Sequence, residues 1–176
     1  ELDDNYNISR LNKIDTSRFP DQELWDFVGL EDARIFNWND KLYVSGVRRD
    51  LDGIGTGRME LCEIVVNEDT VEEVFRFRIP PPNNPNSYCE KNWMPILDMP
   101  YHYVKWTNPT EVVKVDPENQ TSTTVHLGET IPLPRDLRGG SQVVSVGDYY
   151  LTCTHEVDLF NSEVGRKDAR YYHRFI

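Results

Sequence analysis

The run Gly29-Leu30-Glu31-Asp32-Ala33-Arg34-Ile35-Phe36-Asn37-Trp38, the pair Asn39-Asp40, and the run Lys41-Leu42-Tyr43-Val44-Ser45-Gly46-Val47-Arg48-Arg49 decide the fold. Two β-branched and aromatic stretches flank a two-residue turn of types that tolerate a left-handed backbone, which predicts a hairpin. A polar motif precedes the first strand, and a pair of arginines ends the second. The same grammar returns at Glu90-Lys91-Asn92-Trp93-Met94-Pro95, with a turn at Met99-Pro100 and a strand from Tyr101 to Trp106. It returns again at Arg138-Gly139-Gly140-Ser141-Gln142, with a turn at Gly147-Asp148 and a strand from Tyr149 that leads to His155-Glu156. The turns at Asp40, Pro100 and Asp148 lie 60 and 48 residues apart. Further strands trail these units at Met59 to Val66, Val71 to Phe77, Val112 to Val115 and Thr123 to Leu127.

The reading is therefore all-β, built from four-stranded antiparallel units at the period of β-propeller blades. Residues 1–28 are assigned to an outer strand of a preceding blade (around Tyr6 to Leu11) and a connection, with one possible helical turn near Pro20 to Phe27. Residues 29–79 and 88–128 are assigned to two blades, and 138–176 to a partial third. Pro80 to Asn86 reads as a loop between blades. Because closure is what protects sheet edges, the chain is expected to be a segment of a longer propeller, completed by remaining blades or by a homo-oligomer. An open sandwich of the same length is the competing architecture.

Composition narrows the function classes. The 176 residues carry 19 Lys and Arg against 30 Asp and Glu, a formal charge of −11, which argues against nucleic acid as a partner. No apolar run approaches the roughly 18 residues of a membrane helix, so no membrane partner is expected. Three cysteines with no CxxC spacing, and no secretory leader in the sequence given, point to a reduced, cytoplasmic setting.

The start of each unit's first strand gathers the residues that suit chemistry. Asp32 has the carboxylate of a general acid, although Glu31, Asp32 and Arg34 equally suit a structural ion-pair knot. Arg34, Arg48 or Arg49 at a strand end, Lys91 with Asn92, Arg138, and His155 are candidates to grip an anion or the substrate. Trp93 and Trp106 suit stacking on a sugar face. No metal-ligand spacing is present, and no P-loop or nucleotide fingerprint.

Gly29-Leu30-Glu31-Asp32-Ala33-Arg34-Ile35 resembles the G-x-E-D-P-R-I signature of the five-bladed propellers of glycoside hydrolase family 130, the β-mannoside phosphorylases and related hydrolases. The segments Glu90 to Pro95, Arg138 to Ser141, His155 and Tyr171 to Phe175 extend the likeness, which is closer still to relatives associated with glycosyltransferases. The resemblance implies that Asp32 is the proton donor, that Arg48 or Arg49 and Lys91 bind phosphate, and that His155 belongs to the same site. It implies inverting phosphorolysis or hydrolysis of a β-mannoside-type oligosaccharide, with inorganic phosphate as co-substrate and no other cofactor. A non-catalytic glycan-binding propeller and a protein-interaction scaffold are the alternatives.

Overall fold

A computed structural model describes residues 2–19, 29–49, 51–133 and 136–176. Among them there is no helix, and hence none long and apolar enough to cross a membrane. The fold is all-β. The possible turn near Pro20 to Phe27 lies outside the described residues.

The first sheet has five strands. Four form an antiparallel meander: β2 (Glu31–Trp38), β3 (Lys41–Arg48), β4 (Arg58–Val66) and β5 (Val71–Arg78). The hairpin between β2 and β3 turns at Asn39 and Asp40, both at positive φ, as the right-handed twist of a two-residue loop requires. The fifth strand is short β1 (Ile14–Asp15), which lies parallel to β5 on the outer edge. This corrects the assignment at Tyr6 to Leu11, where the pairing is one isolated bridge between Leu2 and Ile8. The outer strand belongs to the first unit rather than to a preceding one.

The second sheet runs β6 (Met94–Pro95), β7 (His102–Thr107), β8 (Thr110–Asp116) and β9 (Thr121–Leu127), again antiparallel and in sequence order. The third unit is interrupted. Its sheet is β10 (Arg138–Gly139), β13 (Cys153–Asn161) and β14 (Lys167–Phe175), while β11 (Val144–Val146) and β12 (Tyr149–Leu151) form a separate hairpin. The expected single strand from Tyr149 is broken at Thr152, whose backbone pairs with Ile176 instead.

Alternation within the strands builds the core. In β2, Phe36 and Trp38 are buried while Ile35 and Asn37 are exposed. The register places Phe36 opposite Tyr43, and on that same face Val47, Met59, Leu61 and Phe77 complete one side of the core. Trp93, Tyr103, Val113 and Val115 of the second unit fill the other side. Trp38 is at the centre: its ring packs against Phe36, Tyr43, Tyr101 and Tyr103, and its indole N–H donates to the Ile96 carbonyl at 2.8 Å. A smaller cluster of Met94, Ile96, Val104 and Val143 joins the second and third units.

The joints between units are what place the site. The peptide of Val143 donates to the Pro95 carbonyl, and that of Leu97 to the Val143 carbonyl. Arg34 reaches from β2 to the carbonyls of Gly140 and Gly139 at 3.1 and 3.3 Å. Gln142 donates to the Ile35 carbonyl. The first strands β2, β6 and β10 are thereby held beside one another.

Candidate functional site

Where those three first strands meet, a cleft of about 460 Å³ opens. Asp32 and Arg34 enter it from β2, Lys91 and Asn92 from the segment before β6, and Arg138 from β10. His155 on β13 and Tyr171 and His173 on β14 close the far wall. The register explains that wall: Arg138 pairs with His155, and His155 with His173, so the three side chains share one face of the sheet.

Backbone geometry aims two of these groups. The β2–β3 register shifts between Glu31 and Arg34, a bulge in which Asp32 sits at φ +52°. Bulges turn a side chain out of the ladder, and a left-handed non-glycine residue costs on the order of 1–3 kcal/mol. Asn92 is left-handed too, at φ +62°. Asp and Asn are the side chains that tolerate this conformation best, so the residue types match the geometry.

Glycine permits the close approach. A Cβ on Gly46 would lie 2.7 Å from the Glu31 carbonyl oxygen in the bulge, and one on Gly139 only 2.0 Å from that of Asn92. Replacement of Gly139 by Ala must therefore push Arg138 away from Lys91 and Asn92. We expect Gly139→Ala to lower stability by about 1–3 kcal/mol, read by denaturant unfolding, and to weaken anion binding in parallel.

The electrostatics oppose the protein's overall charge. Around one carboxylate, Asp32, stand Arg34, Lys91 and Arg138 with two imidazoles, in a chain whose formal charge is −11. Burial pulls the Arg34 guanidinium below its usual range, and Asp32 opposes that shift. Burial also lowers His155, helped by the positive charges of Arg138, His173 and Arg34 and resisted by Asp32. His155 is therefore mostly neutral near neutral pH, with its ring tilted on Tyr171 at 5.8 Å. An anion in the cleft would reverse the repulsion that depresses it, so binding takes up a proton. The affinity for sulfate, whose own charge is constant over the range, should rise as the pH falls from about 8 toward and through the lowered His155 value, measured by calorimetry.

The structure brings together Asp32, Arg34, Lys91, Asn92, Arg138 and His155, and sets four other candidates elsewhere. Arg48 is 1% exposed and ion-paired to Glu60 at 3.8 Å. Parity explains this: Arg34 pairs with Ser45 on the Trp38 face, whereas Arg48 lies on the opposite face with Val44 and Gly46. Arg49 folds back on its own loop, donating to the Gly55 carbonyl and the Tyr88 hydroxyl and lying 5.5 Å from the Tyr88 ring centre. Phosphate binding by Arg48 or Arg49 therefore has no support in their placement.

Trp93 is 1% exposed in the core, with its N–H on Glu90, and cannot meet a ligand there. Trp106 is 46% exposed and borders a neighbouring cavity rather than the main cleft. Arg34 has a structural role of another kind than an ion-pair knot, since its hydrogen bonds go to the neutral Gly139 and Gly140 carbonyls of the third unit.

Tyr171 and His173 were not singled out as site residues from sequence. Their signal was the alternation in Tyr171-Tyr172-His173-Arg174-Phe175, which puts the first, third and fifth side chains on one face. Among the described residues, no group of three His, Cys, Asp or Glu side chains is placed to hold a metal ion. Comparison of the chain with protein-family models, with curated proteins and with solved structures finds no match.

Proposed function

We propose that the chain forms blades of a β-propeller whose cleft binds phosphate beside a general acid, and that it catalyses inverting phosphorolysis of a β-mannoside-type oligosaccharide. One observation carries this reading: among the described residues a single carboxylate, Asp32, lines a cleft of about 460 Å³ together with Arg34, Lys91, Arg138 and two histidines. The propeller is supported by the equivalence of the contributing positions, since each unit places its first strand, or the segment leading into it, at the cleft.

In this reading Arg138, Lys91 and Arg34 neutralise phosphate and hold it in line with the anomeric carbon. A phosphate oxygen forms the new bond to that carbon as the glycosidic C–O bond breaks on the opposite face. Asp32 delivers a proton to the departing oxygen through a sugar hydroxyl. It regains one from hydrogen phosphate, so the products are a sugar 1-phosphate of inverted configuration and a free sugar hydroxyl. His155, neutral before phosphate binds, becomes a further donor to the anion once protonated.

The test is incubation of manno-oligosaccharides with inorganic phosphate and detection of sugar 1-phosphate by phosphorus NMR. Phosphate-dependent product supports the reading, whereas cleavage that ignores phosphate moves it to hydrolysis. The exposure of Trp106 favours a second reading, glycan binding without turnover, for which saturable oligosaccharide binding with no product is the expected result.

A further inference from the structure

A second cavity, of about 230 Å³, adjoins the main cleft and shares the wall formed by Lys91, Asn92, Arg138 and Gly139. Its chemistry differs. Glu90 and Lys105 line it, 7% and 8% exposed, with Lys105 Nζ 3.6 Å from Glu90 Oε2 and 3.7 Å from Glu111 Oε2. One ammonium between two carboxylates leaves this trio formally negative, which offsets Lys91 and Arg138 of the shared wall and makes this cavity less suited to a second anion than the main cleft. Fixed, nearly dry charged groups instead suit hydroxyls, which donate to a carboxylate and accept from an ammonium.

The rim supplies the other half of a sugar site. The β7–β8 register shifts between Val104 and Trp106, a bulge at Lys105. There Lys105 is buried while Trp106 stays at the surface. Trp106 borders this cavity and also a third one, of about 480 Å³. Trp93 fixes the floor from beneath: its N–H donates to Glu90 Oε2, and its ring lies 5.6 Å from Lys105 Nζ.

We propose that the cavity lined by Glu90 and Lys105 is a second subsite, which binds one neutral sugar ring with Trp106 as its stacking platform. The inference rests on the phosphorolysis reading of the main cleft and adds to it the length of the substrate: the ring here is joined to the one that is transferred. Trp93 and Lys105 both meet Glu90 through Oε2, and we assign Oε1 as the acceptor of a sugar hydroxyl. Lys105 holds Glu90 and donates to a second hydroxyl.

The experiment follows the indole N–H signals of the four tryptophans by proton–nitrogen correlation NMR, with Trp106 identified through Trp106→Phe. The protein is titrated separately with inorganic phosphate and with β-linked mannobiose, cellobiose and diacetylchitobiose. At least one disaccharide should move the Trp106 signal, and Trp106→Ala should weaken its binding by about tenfold or more while leaving phosphate affinity unchanged. Glu90→Gln should weaken the same disaccharide.

Disaccharide binding that leaves the Trp106 signal still and is equally tight in Trp106→Ala overturns the subsite. So does the absence of disaccharide binding by a protein that binds phosphate. Failure to bind phosphate overturns the phosphorolysis reading instead, and the Trp106 response then decides the subsite separately.

Discussion

Asp32→Asn should lower phosphorolytic turnover by about 10²- to 10⁴-fold, the range expected when a general acid is removed, while phosphate affinity is kept or improved. The amide matches the carboxylate in size and tolerates the left-handed backbone at φ +52°, so the bulge has no steric reason to relax. It cannot deliver the proton, and among the described residues it removes the one carboxylate that lines the cleft beside Arg34, Lys91 and Arg138. A structural role for Asp32 predicts the opposite pattern, with stability lost and catalysis falling only in proportion to folded protein. Initial rates of sugar 1-phosphate formation, compared with thermal unfolding of both proteins, separate the two.

Arg48→Ala should cost about 3–5 kcal/mol of stability, the expense of breaking a buried ion pair from one side. Glu60 is fully buried and draws on Arg48, Arg76 and Arg78 at 3.8, 4.0 and 3.2 Å. Even so, burial already raises the Glu60 carboxyl above its ordinary value, with the three arginines only partly restoring it. Loss of Arg48 would raise it further.

A carboxyl whose folded value lies above its unfolded one favours the folded state at low pH and loses that advantage as the pH rises through the folded value. The deficit of Arg48→Ala should therefore be greatest near about pH 8 and shrink as the pH falls toward about 5, measured by urea unfolding. Arg49→Ala, which gives up two hydrogen bonds and a ring contact at a half-buried position, should cost less, about 1–2 kcal/mol, with little dependence on pH.

These two arginines show where reading the sequence stopped short. The hairpin around Asn39-Asp40 was legible because alternation and a two-residue turn are local properties, and the repeat of that grammar located the openings of β2, β6 and β10. Strand parity was legible as well, but it says only that Arg48 and Arg49 face opposite ways. Which face is covered depends on pairing across the chain, including the buried Glu60 opposite Arg78 and the edge strand Ile14–Asp15 beside β5. The direction of Arg49 depends on its contacts with Gly55 and Tyr88.

The tryptophans diverge for a similar reason. Nothing local to Trp93 or Trp106 separates a core ring from a surface one. Trp93 packs on Tyr103, whereas Trp106 stays at the surface beside a bulge. The break at Thr152 was equally hidden, since it arises from pairing with Ile176, 24 residues later. Lys91 and Arg138 were found because they open their repeats, and His155 because it follows the strand after the turn, as Arg48 and Arg49 do in the first unit; the joints between first strands bring Lys91 and Arg138 within one cleft.

The central claim, that the cleft is built to hold phosphate beside Asp32, is tested most directly by calorimetric titration of inorganic phosphate into the protein and into Lys91→Ala and Arg138→Ala. Both side chains are exposed at the cleft, so neither truncation should unfold the protein. Saturable binding to the parent, weakened about tenfold or more in each variant, is the predicted result, since a charged hydrogen bond contributes about 1.5–3 kcal/mol. Binding that is absent from the folded parent, or indifferent to both substitutions, would contradict it.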